Sequence, residues 1–499
     1  MGTTRLSNDP IKVYDARWEA GDFGEPEVRR LIEALLLYGL RLGVDTVTLT
    51  RDGRLGSSRV LELALEVSLR AGFNVVLCAE PVSTTHSYFL SFRTTLESPN
   101  TMGLTITASH NPASYVGLKV TVPPVQAVGL DCGPEGGLSK VRELYHGRQE
   151  LQERPGGTLR IVNLTAEYIR FSMEAAGISE GALRGLNVVL DALNGSAGPE
   201  IFRALDACGI DIKPLRIVPD GQFPTGAPNP ASRGRMDQAV AAAGLTTAAV
   251  IGTDGDGDRL VFGNSRGILS AGFASIPVLH SAVRGSLETP KVLHDPKTNP
   301  LALSEWKKAG IRPMLFRNGH SQIKDYMRRL SAVAAVEDSG HYYHRITEKG
   351  LTVFCENSLI TILSFLRALM ANQKLFDELW RLQHRVFTTG EINFQLESDE
   401  VRDRALASLL GYFAGDRAIL VSETTEGIDL QGTVVSKGMD LEVADAPASD
   451  HWYSGYLRIA TNEKAVVRIY VSAGDAAYGR RIEGDLREIL QQYRAREID

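Results

Sequence analysis

Cysteine is scarce in this chain: Cys78, Cys132, Cys208 and Cys355 are the four among 499 residues. They stand too far apart in sequence to build a local zinc knuckle, and read as free thiols of a reducing compartment. No run of about 18 apolar residues is present, so a membrane-spanning helix is not expected. The opening MGTTRLSNDP has no apolar stretch, so no secretory leader is expected. Leu6 stands where an N-terminal acylation motif needs Ser or Thr. Neither sign of charge dominates: 54 Lys and Arg face 60 Asp and Glu, a net charge of −6. That balance predicts no general attraction to nucleic acid or to an anionic membrane. With 43% apolar and 23% charged residues the chain is not of disordered composition. At roughly 150 residues per domain, a soluble, cytoplasmic protein of three or four domains is expected.

What the chain does contain is a repeated plan. Three segments each carry an apolar run that ends in a polar turn and leads into a helical pattern: VDTVTLTRDGR (44–54), GLNVVLDALNG (185–195) and PKVLHDPKTNP (290–300). A second apolar run follows each (73–84, 210–221, 311–321), and then a third: GLTITASHNP (103–112), TAAVIGTDGDGD (247–258) and SAVAAVEDSGH (331–341). Short β-branched runs alternating with helical stretches such as 27–42 and 58–71 indicate α/β units. The reading is three α/β domains of similar plan, 1–157, 158–267 and 268–387, followed by a smaller α+β domain, 388–499. In the last, strands surround a helical stretch near the end. Ligands of open α/β sheets bind beyond the carboxyl ends of the strands. The third runs end in Ser109-His110-Asn111, in Asp254, Asp256 and Asp258, and in Glu337, Ser339 and His341. Three such loops predict one shared cleft.

GTDGDGDR (252–259) is the strongest local signal. Carboxylates at alternate positions, separated by glycines, turn toward one point and suit a hard cation such as Mg²⁺. A calcium-binding helix–loop–helix is excluded. Counted from Asp254, its sixth and twelfth loop positions hold Arg259 and Ser265, where Gly and Glu are required. The aspartates with Arg259 suit a cation that also meets phosphate. A solvated acidic turn is the bland alternative.

TITASHNPASYVGLK (105–119) places Ser109 directly after an apolar strand. A serine hydroxyl needs activation by a base or a metal. Neighbouring side chains of an extended chain point in opposite directions, so His110 is not expected to serve Ser109 as base. No G-x-S-x-G elbow is present. A serine that carries a phosphoryl group beside a cation held by the Asp-rich loop would use both loops together. His86, His146 and His384 read as surface or structural.

These motifs resemble those of the α-D-phosphohexomutase superfamily. TASHNP (107–112) is similar to its phosphoserine loop, GTDGDGDR to its metal loop, VEDSGH (336–341) to its sugar-recognition loop and RIATNEKAVVRIY (458–470) to its phosphate-binding loop. YDAR (14–17) and RDGR (51–54) match two further elements of the first domain. The motifs lie in family order over nearly the whole chain. The resemblance implies a four-domain enzyme around a deep cleft, a monomer or homodimer acting on small-molecule hexose phosphates. It would move a phosphoryl group between the 1- and 6-positions, with hexose 1,6-bisphosphate as intermediate and activator. It implies phosphorylation of Ser109 and one Mg²⁺ held by that group with Asp254, Asp256 and Asp258. Arg17, Lys119, Arg259 and His341 become acid–base and charge-stabilising candidates. Tyr14, Lys297, His320, Glu337, Ser339, Arg458, Thr461 and Asn462 become ligand-binding candidates.

Three departures stand out. Ala460 occupies a phosphate-loop position that usually carries a hydroxyl, Val336 replaces the glycine before Glu337, and Pro81-Val82-Ser83-Thr84 replaces the usual P-T-P. They bear on substrate identity more than on reaction class. Mannose or glucose phosphates are the expected substrates. Glucosamine phosphate, or a sugar-phosphate binder that has lost turnover, are the alternatives.

Overall fold

The computed structural model describes residues 9–283, 288–460 and 463–498. Two compact units make up the chain. The first runs to Ile268 and also takes in Gly319–Ser331 and Ser339–Gln373; the second comprises Leu269–Asn318, Ala332–Asp338 and the chain from Lys374.

In the first unit, alternating valine, leucine and threonine runs form a mixed sheet. Its order is Ala16–Glu19, Tyr115–Val122, Thr101–Ile106, Thr46–Arg51, Asn74–Pro81 and Leu159–Ile161. The four strands from Thr101–Ile106 onward are parallel, and Tyr115–Val122 returns antiparallel beside Thr101–Ile106. The helical patterns read at 27–42 and 58–71 are helices Glu25–Arg41 and Ser57–Arg70. Their apolar faces bury Leu31, Leu35, Val60 and Ala64 in one core with Val47, Leu49 and Leu104 of the sheet. Burial of this kind, at about 25 cal/mol per Å² of apolar surface, is what holds such layers together. A second sheet pairs Asn187–Asp191 in parallel with Asp211–Leu215 and Ala249–Thr253, and Leu260–Asn264 returns antiparallel. The hairpin Tyr342–Glu348/Leu351–Glu356 belongs to the same unit.

The second unit holds three parallel strands, Arg312–Leu315, Lys291–His294 and Ala334–Val336. It also holds an antiparallel sheet in the order Ile419–Glu423, Asp429–Lys437, Tyr453–Ile459, Val466–Ala473, Phe387–Gln395 and Arg496–Ile498. Helices Asp399–Gly415 and Ala476–Gln492 bury Leu409, Phe413, Ile482 and Leu486 against that sheet. The architecture is thus three α/β domains and a C-terminal α+β domain, as the strand and helix patterns predict. All four cysteines are free and buried. Among the described residues no single helix is long and apolar enough to cross a membrane.

Candidate active site

The site of the first unit grows from two loops that leave strands of two different sheets. Asp254, Asp256 and Asp258 follow strand Ala249–Thr253, and all three are buried. Each offers an oxygen within 4.8 Å of the others. A solvated acidic turn is therefore not what this segment forms. The glycines between them are required sterically. A Cβ on Gly255 would stand 2.6 Å from the carbonyl oxygen of Ser109, and Gly257 has φ +75° with its missing Cβ directed at Ala197.

Ser109 follows strand Thr101–Ile106 and has φ +52°, a left-handed conformation that is costly for a residue with a Cβ. Two features hold it. Its amide donates to Thr107 Oγ1 at 2.9 Å, and the Arg54 guanidinium donates to the carbonyls of Ser109 (2.6 Å), Asn111 (2.7 Å), Pro112 (2.7 Å) and Tyr115 (3.2 Å). Arg54 is itself buried and paired through Nε with Asp52 at 3.0 Å. In this conformation Ser109 Oγ reaches Asp254 Oδ2 at 3.1 Å.

The same turn corrects one expectation. Ser109 Oγ also lies 3.2 Å from His110 Nδ1, because the chain here is not extended and the two side chains share a side. Burial, with Arg259 and Arg17 nearby, holds the His110 imidazole well below its ordinary pKa, so it is neutral near pH 7.

Lys119 projects from strand Tyr115–Val122 and donates to Asp256 at 2.7 Å and to Asp258. Burial opposes its charge, but the two carboxylates outweigh that and raise its pKa, so it is an ammonium ion. Burial likewise works against an ionised Asp256, yet Lys119 and a hydrogen bond from Thr84 hold it well below the usual carboxylate range. For Asp254 the cations are more distant, Arg259 Nε standing 4.0 Å from Oδ2, and they do not offset burial. Burial, with Asp256 and Asp258 beside it, pushes its pKa up to about 8.

No sequence motif marks Thr84 as a site residue, yet it meets Asp256 twice: its hydroxyl donates to Oδ2 at 2.6 Å and its amide to the backbone carbonyl at 2.8 Å. Thr84→Val is expected to cost about 1.5–3 kcal/mol, the range for a hydrogen bond to a charged group. The measurement is the shift in denaturation midpoint, and an unshifted midpoint would show the bond to be dispensable.

Around these groups the first unit places the other expected residues. Asp15 grips Arg17 with two oxygens at 2.7–3.0 Å, and Arg17 Nη1 donates to Asn111 Oδ1 at 2.6 Å. The Tyr14 ring lies 6.0 Å from that of His320, whose Nε2 stands 3.6 Å from Asp15. Arg259 Nε donates to His341 Nε2 at 3.2 Å. Ser339 is half-buried on the turn before His341. His86, read as surface or structural, is buried, with Nδ1 2.8 Å from Glu200 Oε1 and its ring stacked on Tyr168.

The second unit holds a separate group. Lys297 donates to Glu391 at 3.2 Å, and Arg458 stands 3.7 Å from the same carboxylate. Against the cost of burial, these cations lower Glu391 to about 2. Glu337 is buried beside Asn318, 3.4 Å away, and Asp295 accepts from both Asn318 (2.8 Å) and the amide of Asp338 (3.1 Å). Ala460 donates its amide to Val466 at 3.0 Å. Thr461 and Asn462 lie outside the described residues.

Comparison with known proteins places this arrangement. Residues 10–127, 166–267 and 275–386 match the family models for α/β/α domains I, II and III of phosphoglucomutase/phosphomannomutase, about two thirds of the chain. The chain belongs to that family. It is a phosphohexomutase, an isomerase by reaction class. A phosphomannomutase of Salmonella montevideo is 29% identical over 494 residues, covering 96% of this chain and 98% of that protein. The phosphomannomutase of Escherichia coli K12 is 28% identical over 433 residues, covering 84% and 89%. Among solved structures, a phosphoglucomutase/phosphomannomutase family protein from Burkholderia thailandensis superposes with a TM-score of 0.76 at 22% identity, covering 98% of each chain. The phosphoglucomutase parafusin of Paramecium gives 0.75 at 14%, covering 98% and 96%. At these identities the superpositions speak for the fold.

Proposed function

We propose that this phosphohexomutase interconverts the 1- and 6-phosphates of mannose or glucose through phospho-Ser109 and a hexose 1,6-bisphosphate. The observation that carries the reading is the meeting of Ser109 Oγ with a buried carboxylate triad, 3.1 Å from Asp254, beside the Lys119 ammonium. A protein that only binds sugar phosphates has no use for a hydroxyl in that position.

The donor set fits Mg²⁺. Asp256 and Asp258 each spend Oδ2 on Lys119 and keep a buried Oδ1 with no hydrogen-bond partner, and Asp254 adds a third carboxylate. Buried acceptors without donors are costly, and an oxygen-seeking cation satisfies them. Asp254, Asp256, Asp258 and the phosphoryl oxygens on Ser109 would hold it, and it would withdraw charge from the phosphoryl group.

This chain's own groups do the rest. A sugar hydroxyl attacks phosphorus; the new O–P bond forms as the Ser109 Oγ–P bond breaks, and the hydroxyl proton passes to His341. Lys119, Arg17 and Arg259 supply positive charge where it builds up on the transferring oxygens. The departing Ser109 oxygen takes up a proton along its contacts with Asp254 or His110. After the bisphosphate turns end for end, Ser109 Oγ attacks its other phosphoryl group; the Oγ–P bond forms as the bond between that phosphorus and the sugar oxygen breaks, and the sugar oxygen takes the proton back from His341. The Oγ proton then leaves along its contacts with Asp254 or His110. Lys297, Glu337, Ser339 and Arg458 are proposed to hold the sugar and the phosphate that does not react. Arginine suits the latter because its planar fork matches phosphate oxygens. The free thiols and balanced charge are in keeping with a cytoplasmic enzyme.

The test is ³¹P NMR of protein with a hexose 1-phosphate and a catalytic amount of the 1,6-bisphosphate. Conversion to the 6-phosphate is expected, lost in EDTA and restored by Mg²⁺. Ligand binding without conversion would replace the mutase reading with that of a binder. Mannose, glucose, glucosamine and N-acetylglucosamine 1-phosphates compared by kcat/KM decide the sugar. A preference of about tenfold or more for mannose or glucose is expected, a gap of about 1.4 kcal/mol.

A further inference from the structure

A line of buried charge ends on His341 in the first unit. Lys324, from helix His320–Leu330, donates to Tyr88 Oη at 2.8 Å and to Glu356 Oε2 at 2.9 Å. Glu356, the last residue of strand Leu351–Glu356, is 1% exposed, and its other oxygen, Oε1, stands 3.5 Å from His341 Nδ1. Asp258 Oδ1 is 3.6 Å from the same nitrogen. The ring's opposite edge meets Arg259, whose Nε donates to Nε2 at 3.2 Å. The backbones of Arg259 and His341 are joined by an antiparallel bridge, the Leu260 amide donates to the Gly340 carbonyl at 2.8 Å, and the imidazole stacks on Tyr343 with an interplanar angle of 19°.

An arginine side chain has N–H donors and no acceptor. Nε2 therefore carries a lone pair in this contact, and the ring proton sits on Nδ1, the edge that faces the two carboxylates. A metal ion shared by Asp258, His341 and Glu356 would require the opposite tautomer, which would set an Nε2–H against the Arg259 Nε–H. Of the two carboxylates, Asp258 already serves Lys119. Glu356 has one oxygen anchored by a buried lysine and the other turned to the ring.

We propose that Glu356 is a positioning residue: held by Lys324 and Tyr88, it keeps His341 in the Nδ1–H tautomer, so that Nε2 is the basic nitrogen once a sugar hydroxyl takes the place of the Arg259 Nε–H. The role is that of the aspartate behind a catalytic histidine, which fixes tautomer and orientation without taking the proton. The inference rests on the reading of His341 as the proton acceptor. No motif marks Glu356 in the sequence; it becomes visible only where its strand delivers it to the ring.

Three variants separate this inference from the reading beneath it. His341→Ala is expected to lower kcat by about 10²–10³-fold, within the range of general acid–base contributions. Glu356→Gln is expected to lower kcat by about 30-fold with KM within about twofold, and Glu356→Asp to recover part of the loss. Because Glu356→Gln leaves the buried Lys324 ammonium without its carboxylate, the Glu356→Gln/Lys324→Met double variant repeats the test without that charge and is expected to be equally slow. In ring-¹⁵N-histidine spectra the His341 signal, assigned by its loss in His341→Ala, is expected to show a protonated Nδ1 in the parent. That pattern should be lost in Glu356→Gln. Combined with His341→Ala, Glu356→Gln should add no further loss.

If His341→Ala turns over at the parental rate, the role of His341 is wrong, and the nitrogen pattern alone then decides whether Glu356 holds the tautomer. If His341→Ala is slow while both Glu356→Gln variants keep parental kcat and nitrogen pattern, the positioning role is overturned. Full additivity in the combined variant overturns it as well.

Discussion

Ser109→Ala is expected to remove turnover, by about 10⁵-fold or more, while leaving sugar-phosphate binding within a few-fold of the parent. The magnitude is that of deleting a covalent nucleophile, for which no neighbouring group substitutes. His110 and Asp254 both lie within 3.2 Å of Oγ, but neither occupies the position from which the phosphoryl group would be passed on. The variant also strips Asp254 Oδ2 of its hydroxyl donor, so a stability loss of about 1–3 kcal/mol should accompany the change. Steady-state turnover, a phosphate-transfer assay from labelled bisphosphate to protein and a binding isotherm together make the check. Parental turnover would show that another group carries the phosphoryl. A simultaneous collapse of binding would mean that the loop, and not only the nucleophile, had been lost.

Arg54→Met is expected to cost about 3–5 kcal/mol, the range for breaking a buried ion pair from one side. It leaves the Asp52 carboxylate buried without its cation and removes the donors to four carbonyls of the serine loop. Burial already works against both partners, pushing Asp52 up and Arg54 down, so the pair persists only while it is complete. Asp52→Asn/Arg54→Met is expected to recover part of the stability and none of the activity, since the carbonyls of Ser109, Asn111, Pro112 and Tyr115 still lack a donor. Arg54→Lys should fall between, because a point charge cannot span the same acceptors. Denaturant midpoints and turnover check the series. An unchanged midpoint and full activity in Arg54→Met would show that the left-handed Ser109 conformation is held by something else.

The metal loop and the serine loop were legible because each is local: a repeat of aspartate and glycine, and a serine directly after an apolar strand, are read in a few residues. The family likeness rests on the same short segments. The expected orientation of His110, pointing away from Ser109, failed for an equally local reason. It assumed an extended backbone, and one residue at φ +52° brings the neighbouring side chains to the same side. Arg54 was visible as part of RDGR, but its task of collecting four carbonyls from residues 109–115 was not. Thr84 stood out only as part of a departure from a motif, with no role attached, and Glu356 left no signal, because a threonine after a strand and a glutamate at a strand end are ordinary until something folds against them.

By itself the chain determined the α/β plan, through alternation of apolar runs with helical patterns, and the kind of chemistry, through residue types that suit phosphate and a hard cation. Only the tertiary structure decided the electrostatics. Whether a carboxylate is buried, which oxygen a lysine takes and which nitrogen of an imidazole keeps its proton depend on partners far away in sequence. Burial removes the water that would otherwise level such differences.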